Sequence, residues 1–149
     1  MEKDILENMI TMKLFLSKVN YINGELNGNT KKYFTNKFLI FEGEYKRGQP
    51  NGFGKEYYLD GSLFFEGEYF YGRKWKGKGY DMKGNIIYEL ENGNGYIKSH
   101  DLDKKLLLFE CEYLNGLKNG KGKEYDFFSG KLKFEGEFIN DKKNGKWKK

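Results

Sequence analysis

Two glutamates one residue apart recur four times in this chain, as Glu42/Glu44, Glu66/Glu68, Glu110/Glu112 and Glu135/Glu137. Paired carboxylates flanking a cleft are the apparatus of glycoside hydrolysis, so these are the first candidates for chemistry. Catalysis needs one asymmetric constellation, whereas four equivalent pairs describe a surface. On a strand, side chains two residues apart share a face, and lysines on the neighbouring strands would answer these carboxylates. Gly77-Lys78-Gly79 and Gly120-Lys121-Gly122 carry part of the spacing of a phosphate-cradling loop, but no Gly-x-x-x-x-Gly-Lys-Ser/Thr completes it. His100, the single histidine, is expected between strands in Lys98-Ser99-His100-Asp101, with no nucleophile beside it. Cys111 stands in a small-residue slot within a strand, where burial makes a thiol inert. One histidine and one cysteine cannot supply the four ligands of structural zinc, and a lone cysteine cannot form an internal disulfide. The expectation is a non-enzymatic chain with no cofactor and no metal.

The lysines carry a different chemistry. The formal net charge is +5 with a pI near 9.0, and the last eight residues hold Lys142, Lys143, Lys146, Lys148 and Lys149 around Trp147. A basic cluster with an aromatic anchor suits anionic lipid headgroups, each lysine contributing ~1 kcal/mol near such a surface. The same residues also read as a solvated cap on the end of the fold. Lysines alternating with aromatics can track a nucleic-acid backbone, but interleaved glutamates oppose that use. With acidic Glu2, Asp4 and Glu7 at the start, where a secretory signal would be basic, and no apolar run of about 18 residues, the expected setting is intracellular and cytoplasmic, with a peripheral membrane position as the variant.

The elements that position these residues are written as a repeat. Phe41-Glu42-Gly43-Glu44-Tyr45, Phe65-Glu66-Gly67-Glu68-Tyr69, Phe109-Glu110-Cys111-Glu112-Tyr113 and Phe134-Glu135-Gly136-Glu137-Phe138 are one pentapeptide in four versions. Tyr88-Glu89-Leu90-Glu91 divides the long interval between the second and third, and Tyr21, Gly24 and Gly28 keep step with Tyr45, Gly48 and Gly52. A period near 24 residues marks a repeat array. Six units follow: 21–40 (degenerate), 41–64, 65–87, 88–108 (degenerate), 109–133 and 134–149, after an N-terminal cap over 1–20 in which Asp4 starts a short helix and Leu14-Phe15-Leu16 turns toward a strand.

Each unit reads as a β-hairpin. Apolar or small residues alternate with charged ones, the period-two pattern of a strand with one buried face. Arg47-Gly48-Gln49-Pro50-Asn51-Gly52 reads as the turn, Phe53 to Leu59 as the return strand, and Asp60-Gly61 and Ser129-Gly130 as the next tight turns. The segment from Gly72 to Gly77 reads as a loop one residue longer, and the unit from Tyr88 as having lost its first turn. The chain has no alanine and one valine, against 20 Gly, 12 Tyr and 13 Phe, a composition that suits short strands and tight turns. Stacked hairpins sharing one continuous sheet would form an elongated all-β array, in which Gly43, Gly67 and Gly136 make room for aromatic rings of the adjoining strand. An uncovered edge would pair with a second copy of the chain.

Phe-Glu-Gly-Glu-Tyr and Asn-Gly-Leu-Lys-Asn-Gly-Lys-Gly at 115–122 resemble the MORN repeat (membrane occupation and recognition nexus), whose pattern is aromatic-x-Gly-x-aromatic, Asn-Gly, Gly-x-Gly. The resemblance covers 41–149 well and 21–40 weakly. It implies an all-β hairpin array used for protein interaction, self-association or membrane-proximal organisation. Asn144-Gly145-Lys146-Trp147 departs toward Gly-x-Trp, a variant also seen in MORN-like bacterial antitoxins. The functional expectations, in order, are a non-catalytic scaffold or adaptor binding a protein partner; a peripheral module binding acidic lipids or phosphoinositides through Lys142, Lys143, Lys146, Trp147, Lys148 and Lys149; and an immunity protein that neutralises a toxin.

Overall fold

The computed structural model describes residues 14–17, 20–35, 37–103 and 106–144. The helix expected near Asp4 and the end of the chain from Gly145 lie outside the described residues. The rest is built of antiparallel strands: β1 (Leu14–Ser17), β2 (Asn20–Ile22), β3 (Glu25–Phe34), β4 (Phe38–Lys46), β5 (Gln49–Tyr57), β6 (Leu63–Phe70), β7 (Arg73–Tyr80), β8 (Ile86–Leu90), β9 (Gly95–His100), β10 (Leu107–Leu114), β11 (Leu117–Tyr125), β12 (Leu132–Ile139) and β13 (Lys142–Asn144). β1 and β2 pair with the two ends of β3, Lys31–Phe34 and Glu25–Asn27. The sheet then continues in chain order to β8, and a second sheet runs from β9 to β13.

Six hairpin tips share one turn. Asn23-Gly24, Arg47-Gly48, Tyr71-Gly72, Asn92-Gly93, Asn115-Gly116 and Asn140-Asp141 each have two successive residues at positive φ, between 47° and 82°. This is the two-residue turn whose twist matches that of the flanking strands. The expected wide turn over 47–52 is therefore only Arg47-Gly48, and Gln49 to Gly52 already belong to β5. Likewise Gly72 to Gly77 is no long loop. Gly77 pairs with Gly67 as Gly54 does, so this segment is one residue shorter than its counterpart. The unit at Tyr88 keeps its turn, at Asn92-Gly93.

Successive tips are stitched together by backbone hydrogen bonds. Gly48 N–H donates to Leu26 O (2.9 Å), Gly72 to Pro50 (2.8 Å), Gly93 to Trp75 (2.7 Å), Gly116 to Gly93 (2.9 Å) and Asp141 to Lys118 (2.9 Å). A tip amide that an isolated hairpin would leave to water thus gains a partner in the preceding unit.

Alternation buries one face. Phe41, Tyr45, Tyr58, Phe64, Phe65, Tyr69, Tyr88, Leu90 and Ile97 form the main core, and Cys111, Phe134 and Phe138 a smaller one. Edge-to-face contacts recur, with Phe41 and Tyr69 at 5.7 Å and Phe65 and Tyr69 at 5.6 Å between ring centroids, the geometry favoured by the ring quadrupole. Between the aromatics a row of small residues crosses the strands in register: Thr30, Gly43, Gly54, Gly67 and Gly77. A Cβ at Gly43 would meet Gly54 Cα at 2.7 Å before it met the Phe41 ring at 3.0 Å. The first constraint at Gly43 and Gly67 is therefore the facing backbone, and the rings come second. At Gly54 the rings do come first, with Tyr69 Cε1 2.9 Å away.

The row ends at Leu90, which pairs with Gly77, and resumes with Ile97, which pairs with Cys111. Here the single continuous sheet expected from the repeat is interrupted. β8 and β9 meet through one bridge, Glu91 to Asn94. Two buried branched side chains, Leu90 and Ile97, stand where the β4–β5 and β6–β7 hairpins place two glycines. Both residues instead join the shared core, with Phe109 and Tyr113 packed against it. On the side opposite the tips, Leu59 N–H donates to Leu102 O (2.9 Å), fastening the two sheets together.

Candidate interaction faces

The face opposite the aromatics presents two rows of side chains, one of alternating charge and one, Asn29, Glu44, Phe53, Glu68 and Lys76, of mixed character. Pairing registers the first row as Lys31, Glu42, Lys55, Glu66, Lys78 and Glu89, one residue from each of six adjacent strands with the sign alternating at every step. In the second sheet the equivalent row is Lys98, Glu110, Lys123 and Glu135. Facing opposite charges on neighbouring strands stabilise the sheet by a few tenths of a kcal/mol per pair, about 0.2–1. The repeated glutamates thus lie opposite lysines, as the repetition implied.

In the pentapeptides that begin at Phe41 and Phe109 the two glutamates nevertheless do different work. The first is held by a tyrosine hydroxyl from the return strand: Tyr57 donates to Glu42 Oε1 at 2.5 Å, and Tyr125 donates to Glu110 Oε2 at 2.9 Å. Glu110 takes a second hydrogen bond from Tyr96 at 2.8 Å. Burial opposes the Glu110 charge, but the Tyr96 and Tyr125 hydroxyls and nearby Lys98 and Lys123 outweigh it and hold the carboxyl below its ordinary pKa. The second glutamate lies over a bulge. Glu44 covers Gly52 and Glu112 covers Gly120, two glycines at φ 108° and 109° where a Cβ would overlap the carboxylate oxygen. Lys121 N–H also donates to Glu112 Oε2 (3.2 Å). Sequence spacing carried this signal, because each glycine follows its glutamate by eight residues, but only the register exposes it.

Between the rows, the backbone of the small-residue positions floors two clefts. One, of about 430 Å³, is lined by Asn29, Thr30, Lys31, Glu42, Gly43, Glu44, Phe53 and Lys55. The other, of about 490 Å³, is lined by Tyr96, Glu112, Lys121, Gly122, Lys123, Glu135, Gly136 and Glu137. Each includes one exposed aromatic standing opposite a glutamate: Phe53 faces Glu68, and Tyr96 faces Glu112. Neither aromatic belongs to the pentapeptide, which is why the repeat alone did not mark them.

On the aromatic face, lysines lie over rings instead of projecting into water. Lys74 Nζ is 4.8 Å from the Phe65 centroid and 3.1 Å from Glu56 Oε2. Burial works to lower the Lys74 pKa, and the Glu56 carboxylate reverses it, leaving the ammonium above its ordinary value. Lys143 repeats the arrangement, 4.8 Å from the Phe134 centroid and 2.9 Å from Glu124 Oε2. Of the terminal basic cluster, then, Lys143 is committed to Glu124 and Phe134, while Lys142 is exposed on β13. Lys146, Trp147, Lys148 and Lys149 lie outside the described residues.

His100 ends β9 rather than sitting between strands. Its Nδ1 is buried without a hydrogen-bond partner among the described residues, and burial holds its pKa below the usual value against the pull of Asp81. The Asp81 carboxylate is occupied by Lys83 N–H and Asn85 N–H at 2.9 Å each and by Asn85 Nδ2 at 3.1 Å. It shapes a turn and does not orient the imidazole. Cys111 is buried, and burial pushes its thiol up to about 11. No group of three His, Cys, Asp or Glu side chains that could hold a metal occurs among the described residues, and no helix among them is long and apolar enough to cross a membrane.

No curated protein matches the chain. The family model of the MORN repeat matches residues 41–63, 110–126 and 134–146. Those segments contain most of the β4–β5, β10–β11 and β12–β13 hairpins, each with its tip. Sequence pattern, tip geometry and family model agree in identifying these three units as MORN repeats.

Proposed function

We propose that this chain is a non-catalytic adaptor whose charged face binds a protein partner. The observation that carries the reading is the pair of clefts, each walled by charges of both signs and containing an exposed aromatic, Phe53 or Tyr96. Aromatic anchors within a polar rim are the composition of protein-binding surfaces. The aromatic face is less suited to that role, since its rings are buried in the chain's own core. The test is affinity capture from cells expressing the chain, comparing it with the Phe53→Ser/Tyr96→Ser double variant. The same partners should be depleted in the variant while the far-UV spectrum is unchanged. An unaltered set of partners, or binding only to anionic vesicles that fades with salt, overturns the reading.

A further inference from the structure

An asparagine followed by glycine is a reactive dipeptide. The glycine amide nitrogen, once its proton is lost to a base in solvent, adds to the side-chain carbon Cγ, the Cγ–Nδ2 bond breaks, and ammonia leaves after taking a proton from water. Water then opens the resulting five-membered succinimide at either carbonyl, giving aspartate or isoaspartate. One water is consumed for each ammonia released, and nothing is oxidised or reduced. The reaction needs a glycine amide that is not donating a hydrogen bond and a backbone that can rotate until the nitrogen reaches Cγ.

Asn-Gly occurs eight times in this chain, and the fold sorts the eight. Gly28, Gly52, Gly95 and Gly120 are registered on Tyr45, Tyr69, Tyr113 and Phe138 of a neighbouring strand, so their dipeptides rotate only if strands part. Asn51 and Asn94 are held further, because their Oδ1 atoms accept the N–H of Tyr71 (3.2 Å) and of Asn115 (3.0 Å). At the tips Asn92-Gly93 and Asn115-Gly116 the glycine amide is already donated, to Trp75 O at 2.7 Å and to Gly93 O at 2.9 Å. Asn144-Gly145 runs beyond the described residues.

Asn23-Gly24 makes the same positive-φ tip, with both residues exposed and nothing within 4 Å of a Cβ built on Gly24. The hydrogen bond that ties each later tip to the unit before it has no counterpart here. Among the described residues, Gly24 N–H has no backbone acceptor and no hydrogen bond holds the Asn23 side chain. The strand leading into this tip, β2, is three residues long and pairs with β3 alone. Opening the tip therefore separates three residue pairs, whereas opening a later one separates whole units, and the least protected segments are those with the fewest such contacts. We propose that Asn23 is a self-modifying site, converted to aspartate and isoaspartate through attack by the Gly24 nitrogen, and that the hydrogen bonds stitching the units together shield Asn92 and Asn115 from the same reaction. Isoaspartate places an additional carbon in the main chain between Ile22 and Glu25 and a carboxylate beside Glu25. Both changes oppose the two-residue turn that joins β2 to β3.

The full chain is incubated at mildly alkaline pH, in native buffer and in concentrated urea, and its peptides are resolved by mass spectrometry into asparaginyl, aspartyl and isoaspartyl forms. In native buffer Asn23 should convert at least about ten-fold faster than Asn92 or Asn115. In urea, where no tip is stitched to a neighbour, the three rates should agree within about three-fold. Conversion of Asn92 or Asn115 as fast as that of Asn23 in native buffer overturns the proposal, as does an unreacted Asn23 over a time in which the urea sample converts. A rate ratio that persists in urea overturns it too, because the selectivity then lies in the flanking residues and not in the fold.

Discussion

A glycine in this chain has one of two jobs, and they differ in what they tolerate. Gly48 sits at a tip with φ 77° and open space around the position of a Cβ. Alanine there should cost only the left-handed backbone penalty, ~1 kcal/mol. Gly67 lies in the row between the aromatics, where a Cβ would overlap the Lys76 carbonyl oxygen and come within 2.6 Å of Gly77 Cα. Neither obstacle is a movable side chain, so Gly67→Ala must part β6 from β7 and should cost ~3 kcal/mol, the upper range of overpacking. Denaturant unfolding of the two variants decides it: equal losses would mean that strand spacing is not set by the glycine row. Cys111 shows the limit of the rule. Its thiol fits the same row opposite Gly122, where an added Cβ would meet Cys111 Sγ at 2.7 Å.

At the scale of the hairpin, the tips connect units that the sheet alone would join less firmly. The bond from Gly93 N–H to Trp75 O and that from Gly116 N–H to Gly93 O continue the line of tips across the place where β8 and β9 share a single bridge. Exchange of these protons with solvent requires the neighbouring units to separate. The amides of Gly48, Gly72, Gly93, Gly116 and Asp141 should therefore exchange at least ~100-fold more slowly than unprotected amides, although every one lies in a turn. Residue-resolved hydrogen exchange measures this directly. Free exchange at Gly93 and Gly116 would show that the two sheets separate in solution. The tip residues themselves are unequal: Asn accepts positive φ at low cost, while Arg47 and Tyr71 do so at φ 53° and 47° against the preference of side chains with a bulky Cβ substituent. Their strain is tolerated where the next residue's amide is fixed by the preceding unit.

For the molecule as a whole, stability should be lost in alkali before it is lost in mild acid. Burial pushes the Tyr58 phenol up to about 12 and raises Tyr69, Tyr88 and Tyr113 as well, with Glu56 adding to the shift at Tyr69. A phenol whose folded pKa lies above its unfolded value of about 10 contributes its full stability below that value and loses it as pH rises toward the folded one. Stability should be level to about pH 9 and fall steeply between about pH 10 and 12, with the buried tyrosines ionising as the fold opens. Parallel titrations of tyrosinate absorbance and far-UV circular dichroism test this. Ordinary ionisation of all tyrosines near their unperturbed pKa, with the fold intact, would remove the argument. The opposing shift at Glu110 is local to two hydroxyls and sets only a weak lower limit of pH.

The hairpin units, their inward aromatics and their Glu/Lys face were legible from residue order, because a strand's faces alternate with a period of two and a tip of Asn-Gly ends it. Register was not legible. A shift of one residue exchanges the faces, and only pairing shows that Gly77 answers Gly67, that Gln49 to Gly52 are strand, and that Glu44 and Glu112 cover bulge glycines. The break between β8 and β9 was hidden for the same reason. Leu90 and Ile97 look like ordinary apolar strand residues until they are placed in the row where the β4–β5 and β6–β7 hairpins have facing glycines. Phe53 and Tyr96 escaped notice because local sequence does not say which aromatics will find a core and which will be left at the surface. That is decided by contacts between strands far apart in the chain, and in this fold those contacts turn a repeated motif into two clefts with an aromatic in each.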